Sequence, residues 1–345
     1  MTISTPQPSD RARPSRWRLA AVLCIACVPL TGCGAEYVQS SLSPSSDLAA
    51  GIDRLFQVIL WIAFGVFVIV EGALLVAVVR FRERPGRAPP VPTHGHTLLE
   101  ISWTLAPAVV LILIAIPTIR TIWEVDRPPT GEAMAIEVVG HQWWWEFRYP
   151  ELGITTANEL HVPVGRTVDL HLSSADVIHS FWFPRVGGKR DLLPGHETRL
   201  WFTVDSAGTY TGQCAEFCGI AHALMGMRLV AEEPAEFASW VERMREPATE
   251  PADSLELAGR DLFLRSACIG CHTVAGTVAR GRQGPDLTHF GSRERMAAGM
   301  RENTPRNLAV WLRDPPAVKP GALMPSLGLS EDQIGSLVAY LGSLR

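Results

Sequence analysis

The chain has 345 residues, enough for two or three domains, and a formal net charge of −4. So small a charge excludes a protein built around nucleic acid or any other strongly charged partner. Its 26 prolines and 29 glycines favour turn-rich β structure over long helical bundles, yet the apolar residues gather in early blocks.

Arg11, Arg13, Arg16 and Arg18 precede a short apolar run from Leu19 to Leu30 that contains Cys24 and Cys27. A basic stretch before a short apolar run reads as a secretory signal. It ends Leu30-Thr31-Gly32-Cys33, which resembles the lipobox of bacterial lipoproteins. That resemblance implies cleavage before Cys33 and a lipid on its sulfur; an uncleaved first helix is the alternative. Two longer blocks follow, Ile52 to Val79 and Leu98 to Ile122, each exceeding the ~20 residues that cross a bilayer. Arg80, Arg82, Arg84 and Arg87 lie between them, which predicts a cytoplasmic loop and a hairpin with both ends outside. Glu71 lies inside the first span and Glu100 opens the second; acids are costly in lipid and face protein or water. For Glu71 a structural role against a partner helix is expected.

From Ala133 to Val230 the pattern changes to short alternating runs, Ala135–Val139, Thr167–Leu172 and Thr198–Val204, which predict strands of a compact sandwich or barrel. Cys214, Cys218, His222 and Met225 then crowd one loop, and His179 supplies a second imidazole from a separate turn. A disulfide or a zinc site would use the two cysteines, but Met225 is a poor zinc ligand and a good copper one. Two coppers bridged by both thiolates would take one histidine each, with Met225 and the Glu216 carbonyl as weak terminal ligands. His94, His96, His141, His161, His171 and His196 lack ligand spacing and are expected to be structural or exposed.

After Trp240, Arg245–Asp253 is acidic and rich in Pro and Ala and reads as an extended linker. A helix starting near Ser254, with Ser254 as its cap, leads into Cys268-Ile-Gly-Cys271-His272, the attachment signature of a c-type haem. A redox dithiol would need a thioredoxin-like βαβ pattern that is absent here. The thiols of Cys268 and Cys271 suit the two vinyl groups of one haem, and His272 the iron. His289, Met296, Met300 and Met324 are the candidates for the sixth iron ligand. Met296 and Met300 share helical spacing and are read as packing, whereas Met324 sits in a rigid loop, Lys319-Pro-Gly-Ala-Leu-Met324-Pro325. Ser330 starts a closing helix with a capping signal.

The hairpin, the Gly140-His-Gln-Trp143-Trp144-Trp145 run and the loop from Cys214 to Met225 resemble subunit II of haem–copper cytochrome c oxidases over Ser46 to Val230. The Met324 loop and Gly284-Pro-Asp-Leu287 resemble class I cytochromes c. These resemblances imply a membrane-anchored multidomain chain: a two-helix transmembrane hairpin, a cupredoxin-like β-barrel carrying binuclear CuA, and an all-α cytochrome c domain. They select Met225 over Met227 as copper ligand, make Trp143 the exposed tryptophan through which electrons enter, and favour Met324 on the haem iron. Glu216 is similar to a residue that joins a magnesium or manganese site between subunits I and II, with Asp191 helping to hold that region. Glu100 matches an acid near the mouth of a proton path into subunit I. Asp176 stands beside Ala175 where the family often carries two neighbouring acids for docking a free cytochrome.

The expected division is a signal peptide at 1–33, a hairpin at 34–129, a copper domain at 130–245, a linker at 246–254 and a cytochrome domain at 255–345. The expected partners are oxidase subunits I and III, the bacterial inner membrane, and an upstream cytochrome c or quinol-oxidising complex, with the copper and haem domains on the periplasmic side. A copper chaperone would leave the haem motif and hairpin unexplained. A nitrous-oxide-reducing enzyme would need a propeller, and a quinol oxidase subunit would lack the copper ligands.

Overall fold

Two helices too apolar for water open the computed structural model, which describes residues 37–83, 85, 86, 92 and 94–345. The signal and lipobox readings, including Cys24, Cys27 and Cys33, lie outside the described residues, as do Arg84 and Arg87. Helix α1 spans Asp47–Phe81 and α2 spans Thr97–Asp126, both longer than the expected spans and both exposing their apolar side chains, a composition that suits hydrocarbon. Pro107 and Pro117 lie inside α2, a tolerated feature of membrane helices. Glu71 and Glu100 are exposed on α1 and α2. His96 caps α2 by accepting from Leu99 N, and the Glu100 carboxylate lies against Gly95.

The start of α1 is tied to the domain that follows. Ser46 caps the helix by accepting from Ala49 N at 3.1 Å, and its hydroxyl also donates to the Val186 carbonyl. Asp47 accepts from Thr203 N at 2.8 Å. Leu48 packs so closely on Gly187 that a Cβ there would sit 2.8 Å from its methyl group.

The middle domain is built from ten strands: β1 Met134–His141, β2 Trp144–Tyr149, β3 Ile154–Ala157, β4 Glu159–Pro163, β5 Thr167–Ser174, β6 His179–Trp182, β7 Arg190–Leu192, β8 Thr198–Thr203, β9 Gly208–Cys214 and β10 Gly226–Glu232. They form two five-stranded sheets, ordered β3-β2-β1-β5-β8 and β4-β10-β9-β6-β7. Alternating residues from both sheets, Ile136, Val138, Leu170, Leu172, Phe202 and Leu229 among them, share one core. Helix α3, Pro234–Arg245, closes it with Phe237, Trp240 and Val241.

The C-terminal domain has helices α4 Ser254–Arg265, α5 Cys268–Cys271, α6 Pro305–Arg313, α7 Pro315–Val318 and α8 Glu331–Ser343. Helices α4 and α8 touch at Gly259, where a Cβ would sit 2.0 Å from the Ser336 carbonyl. A capping box at Ser330 and Gln333 starts α8.

Two local expectations are corrected. Asp253, not Ser254, caps α4, because its carboxylate accepts from both Leu255 N and Glu256 N. Met296 and Met300 are not on a helix: Arg295–Met296 and Arg301–Glu302 form a small ribbon, β11–β12. Its turn passes through positive φ at Ala297, Ala298 and Gly299. The stretch read as a linker is hydrogen-bonded to the C-terminal domain: Ala248 N donates to Ala275 O at 3.3 Å and Thr249 donates to the Arg345 carbonyl at 2.7 Å.

Candidate metal and cofactor centres

Strands β6 and β9 and the loop leading into β10 set the first site. Phe181 pairs with Cys214 across β6 and β9, and Ala215 N donates to Ser180 O at 2.9 Å, which holds His179 and Cys214 side by side. The sulfurs of Cys214 and Cys218 are 3.8 Å apart, and both thiols are free. His179 Nδ1 lies 3.9 Å from the Cys214 sulfur, while His222 Nδ1 lies 3.6 Å and Met225 Sδ 3.9 Å from the Cys218 sulfur. The Glu216 carbonyl is 3.3 Å from the Cys214 sulfur. All six donors therefore converge, and His179, Cys214 and Cys218 form a buried group of metal-ligating atoms. Two thiolates, two imidazoles, a thioether and a carbonyl are a copper set. Met227 lies elsewhere, buried in the core on β10.

Electrostatics prepare one thiolate. The hydrogen bond between the two sulfurs holds Cys214 well below the usual thiol range and pushes Cys218 up. Burial works against protonating His179, but Cys214 and Asp176 together raise it above the ordinary imidazole value. Asp176 accepts from His179 Nε2 at 2.8 Å, from Gln142 N at 2.6 Å and from Val177 N at 2.6 Å. Asp176 thereby orients the His179 ring. The spacing of three residues from His179 was the sequence signal for that role.

The second site is a cavity of about 710 Å³ that the C-terminal domain forms together with residues of the middle domain, a volume suited to a cofactor. Cys268, Cys271 and His272 line it, with Met296, Met324, Leu287, Phe290 and Trp311. His272 Nδ1 bonds the Pro285 carbonyl at 2.8 Å, leaving Nε2 for a metal. Gly284 is required beside that ring, where a Cβ would sit 2.6 Å from Cε1. Burial lowers the His272 pKa, keeping the imidazole in its ligating form. Arg293 is half-buried and lines the cavity; its Nη2 donates to the Asp286 carbonyl while its buried Nε has no partner, so the residues fit a group bearing anionic substituents, as haem does. Met324 and Met296 share the cavity with His272, whereas Met300 and His289 do not line it.

The two sites meet at Trp143. Expected to be exposed, it is only 9% exposed, because the Met324 loop covers it. Its indole Nε1 donates to the Cys218 carbonyl at 3.1 Å, and on the other side its ring packs on Gly321, where a Cβ would sit 3.1 Å away. Trp143 and Trp144 both line the mouth of the cavity. Trp144 stacks on His141 at 4.2 Å, and His141 bonds Glu146 at 3.0 Å. Sequence reasoning missed Lys319, which is buried and donates to the Trp143 carbonyl at 2.6 Å. Burial lowers its pKa to about 7. Further links join the domains: Gly226 N to Ala298 O at 3.0 Å, Arg295 N to Glu159 at 3.2 Å, and the Arg228–Glu294 ion pair.

Other expected residues fall apart from these centres. The Glu216 side chain and Asp191 are exposed; Asp191 pairs in register with Ser180, one strand from Cys214. His161 stacks on Trp240 at 4.5 Å and bonds Glu232 at 3.2 Å, and His171 bonds Glu197 at 2.8 Å. His94 and His196 are exposed.

Comparison with known proteins agrees with these two centres. Residues 152–232 match the family model of the cytochrome c oxidase subunit II periplasmic domain, 35–121 that of its transmembrane domain, and 257–345 that of cytochrome c. A cytochrome c oxidase subunit 2 from Alkalihalophilus pseudofirmus is 40% identical over 92% of this chain and 94% of its own. One from Bacillus sp. strain PS3 is 36% identical over 95% and 98%. A crystal structure of the periplasmic domain of subunit II of cytochrome oxidase from Bradyrhizobium japonicum is 34% identical over 34% of this chain and 97% of that one, with a TM-score of 0.33. Copper and haem are the groups that the two soluble domains imply, and other oxidase subunits and the membrane are their setting. The chain belongs to the cytochrome c oxidase subunit II family, with a cytochrome c domain fused at its C-terminus, and is a component of an oxidase complex.

Proposed function

We propose that this chain relays electrons from its own c haem through the Trp143 region to a binuclear CuA centre, and on to the oxygen-reducing site of subunit I, coupled to proton translocation. The haem would be held by Cys268, Cys271, His272 and Met324, and the copper by His179, Cys214, the Glu216 carbonyl, Cys218, His222 and Met225. When bound, the two groups supply one-electron redox chemistry; methionine–histidine ligation of the iron raises its potential and suits electron transfer.

The observation that carries the reading is the position of Trp143, whose ring touches Gly321 on one side and whose Nε1 bonds the Cys218 carbonyl on the other. Covalent fusion removes the diffusional search for a partner, and the contacts across the boundary favour one docked pose. The protein's part is therefore positioning. Asp176 fixes the His179 ring, Pro285 fixes His272, and the loop from Lys319 to Met324 joins haem pocket to tryptophan.

Several finer roles belong to the same reading. Glu100 lies at a proton-path mouth, and the Glu216 side chain with Asp191 joins a magnesium or manganese site at the subunit I interface. Cys33 carries lipid. The soluble domains lie on the outer face of the inner membrane, subunits I and III assemble around α1 and α2, and an upstream cytochrome c or quinol-oxidising complex is the donor. The domain boundaries given above follow from it.

Electron paramagnetic resonance of the purified chain tests the copper assignment. Hyperfine splitting from two equivalent copper nuclei, together with a low-spin c-haem spectrum, is expected. Splitting from a single nucleus would overturn it.

A further inference from the structure

The chain contains 29 arginines but only two lysines, Lys189 and Lys319. Lys189 is exposed, whereas Lys319 is 4% exposed. Among the described residues its Nζ has one hydrogen-bond partner, the Trp143 carbonyl at 2.6 Å, and no ion-pair partner. Burying an ammonium on a single carbonyl costs free energy, and burial accordingly lowers the Lys319 pKa to about 7. A guanidinium, with five donors in a rigid fork, is still harder to satisfy there. In an arginine-rich chain a compact cation therefore occupies this one buried position, which calls for a reason.

Its place in the fold supplies one. Lys319 ends α7, with its own N–H donating to Pro315 O at 2.9 Å. Two residues later Gly321, at φ +89°, lies flat on Trp143 and Ile220. The Lys319 side chain thus leaves the haem-pocket loop, crosses the domain boundary and ends on the backbone of the residue whose indole bonds the copper loop. The Gly226–Ala298 and Arg228–Glu294 links grip β10 instead.

We propose that Lys319 is a positioning residue for the haem-to-copper step: its bond to the Trp143 carbonyl latches the loop from Lys319 to Met324 onto Trp143. Breaking the latch frees the loop and turns a fixed electron path into one gated by docking. The consequence for electron transfer rests on the function proposed above; the latch itself does not.

Two lysines make the test specific. The full-length protein, loaded with haem and copper in detergent, is treated with N-hydroxysuccinimidyl acetate, and acylation of each lysine is followed by peptide mass spectrometry. Lys189 is the internal exposed control. Protection by the docked state makes Lys319 acylate at least about tenfold more slowly than Lys189; equal rates overturn the latch. Lys319→Gln then separates latch from relay. Its haem-to-copper rate after flash reduction of the haem is expected to fall about tenfold and to become viscosity-dependent, as docking-gated steps do, with both metal spectra unchanged. A wild-type rate, or a slower rate without viscosity dependence, overturns the proposal. If the variant fails to take up metal, the acylation result on the wild-type chain decides. Protected Lys319 in a protein that passes no electrons from haem to copper would leave the latch standing and sink the relay.

Discussion

Replacing Glu146 by glutamine tests the polar cluster that supports the face carrying Trp143 and Trp144. Glu146 lies on β2, largely buried, and accepts from Arg148 Nε at 2.8 Å and Arg148 Nη2 at 3.0 Å while bonding His141 Nε2 at 3.0 Å. Burial alone would raise its pKa, but His141 and Arg148 outweigh burial and hold it at about 2, against an ordinary 4.5. An acid depressed in the folded state stabilises the fold above its unfolded pKa and loses that contribution as pH falls through the folded value. At 1.36 kcal/mol per pKa unit the interval amounts to about 3 kcal/mol. Arg148 is 40% exposed and its pairing is screened, so about 1–2 kcal/mol is the working figure. Urea unfolding of the copper-free protein, followed by tryptophan fluorescence at several pH values, measures this without adding salt. The wild type should exceed Glu146→Gln in stability by that amount at pH 7, and the gap should close between pH 4.5 and 2. A gap that stays constant down to pH 2 would refute the argument, because the carboxylate charge would not be its source.

Three further outcomes follow from the same geometry. Cys218→Ser removes the sulfur that stands 3.6 Å from His222 and 3.9 Å from Met225; resonance spectra should lose the splitting from two equivalent coppers. Gly259→Ala places a Cβ 2.0 Å from a backbone carbonyl of α8, so calorimetry should show the cytochrome domain destabilised by about 1–3 kcal/mol, the cost of forcing packed elements apart. Trp143→Phe keeps an aromatic ring but deletes the 3.1 Å bond to Cys218 O; flash-induced haem-to-copper transfer should slow by about tenfold, the equivalent of 1.4 kcal/mol in the barrier, with both metal spectra retained.

Sequence proved readable where the chemistry is local. The donors between Cys214 and Met225 lie within one loop, and Cys268, Cys271 and His272 within one turn, so spacing alone brought the ligands together. The long apolar blocks of α1 and α2 were equally plain, because a hydrophobic span leaves a composition that needs no partner to be read. What escaped was long-range. Lys319 meets Trp143 across 176 positions of chain, and nothing local distinguishes a buried lysine from a solvated one. The burial of Trp143 follows from that docking, so its expected exposure failed for the same reason. At Met296 and Met300 a helical spacing misled, because positive φ at Ala297, Ala298 and Gly299 turns the chain back on itself and presents the Ala298 carbonyl to Gly226. The Pro/Ala-rich stretch after Arg245 has the composition of a free linker, yet two hydrogen bonds fasten it to the cytochrome domain.

The central claim is that haem and copper on one chain form a single fixed circuit through Trp143. Time-resolved absorbance after flash reduction of the c haem in the purified full-length protein tests it most directly, with copper oxidation state read at its own near-infrared band and the protein diluted over a wide range. Haem oxidation and copper reduction are expected at one shared rate that does not change with dilution. A rate that falls in proportion to protein concentration, or a haem that stays reduced beside oxidised copper, would contradict it.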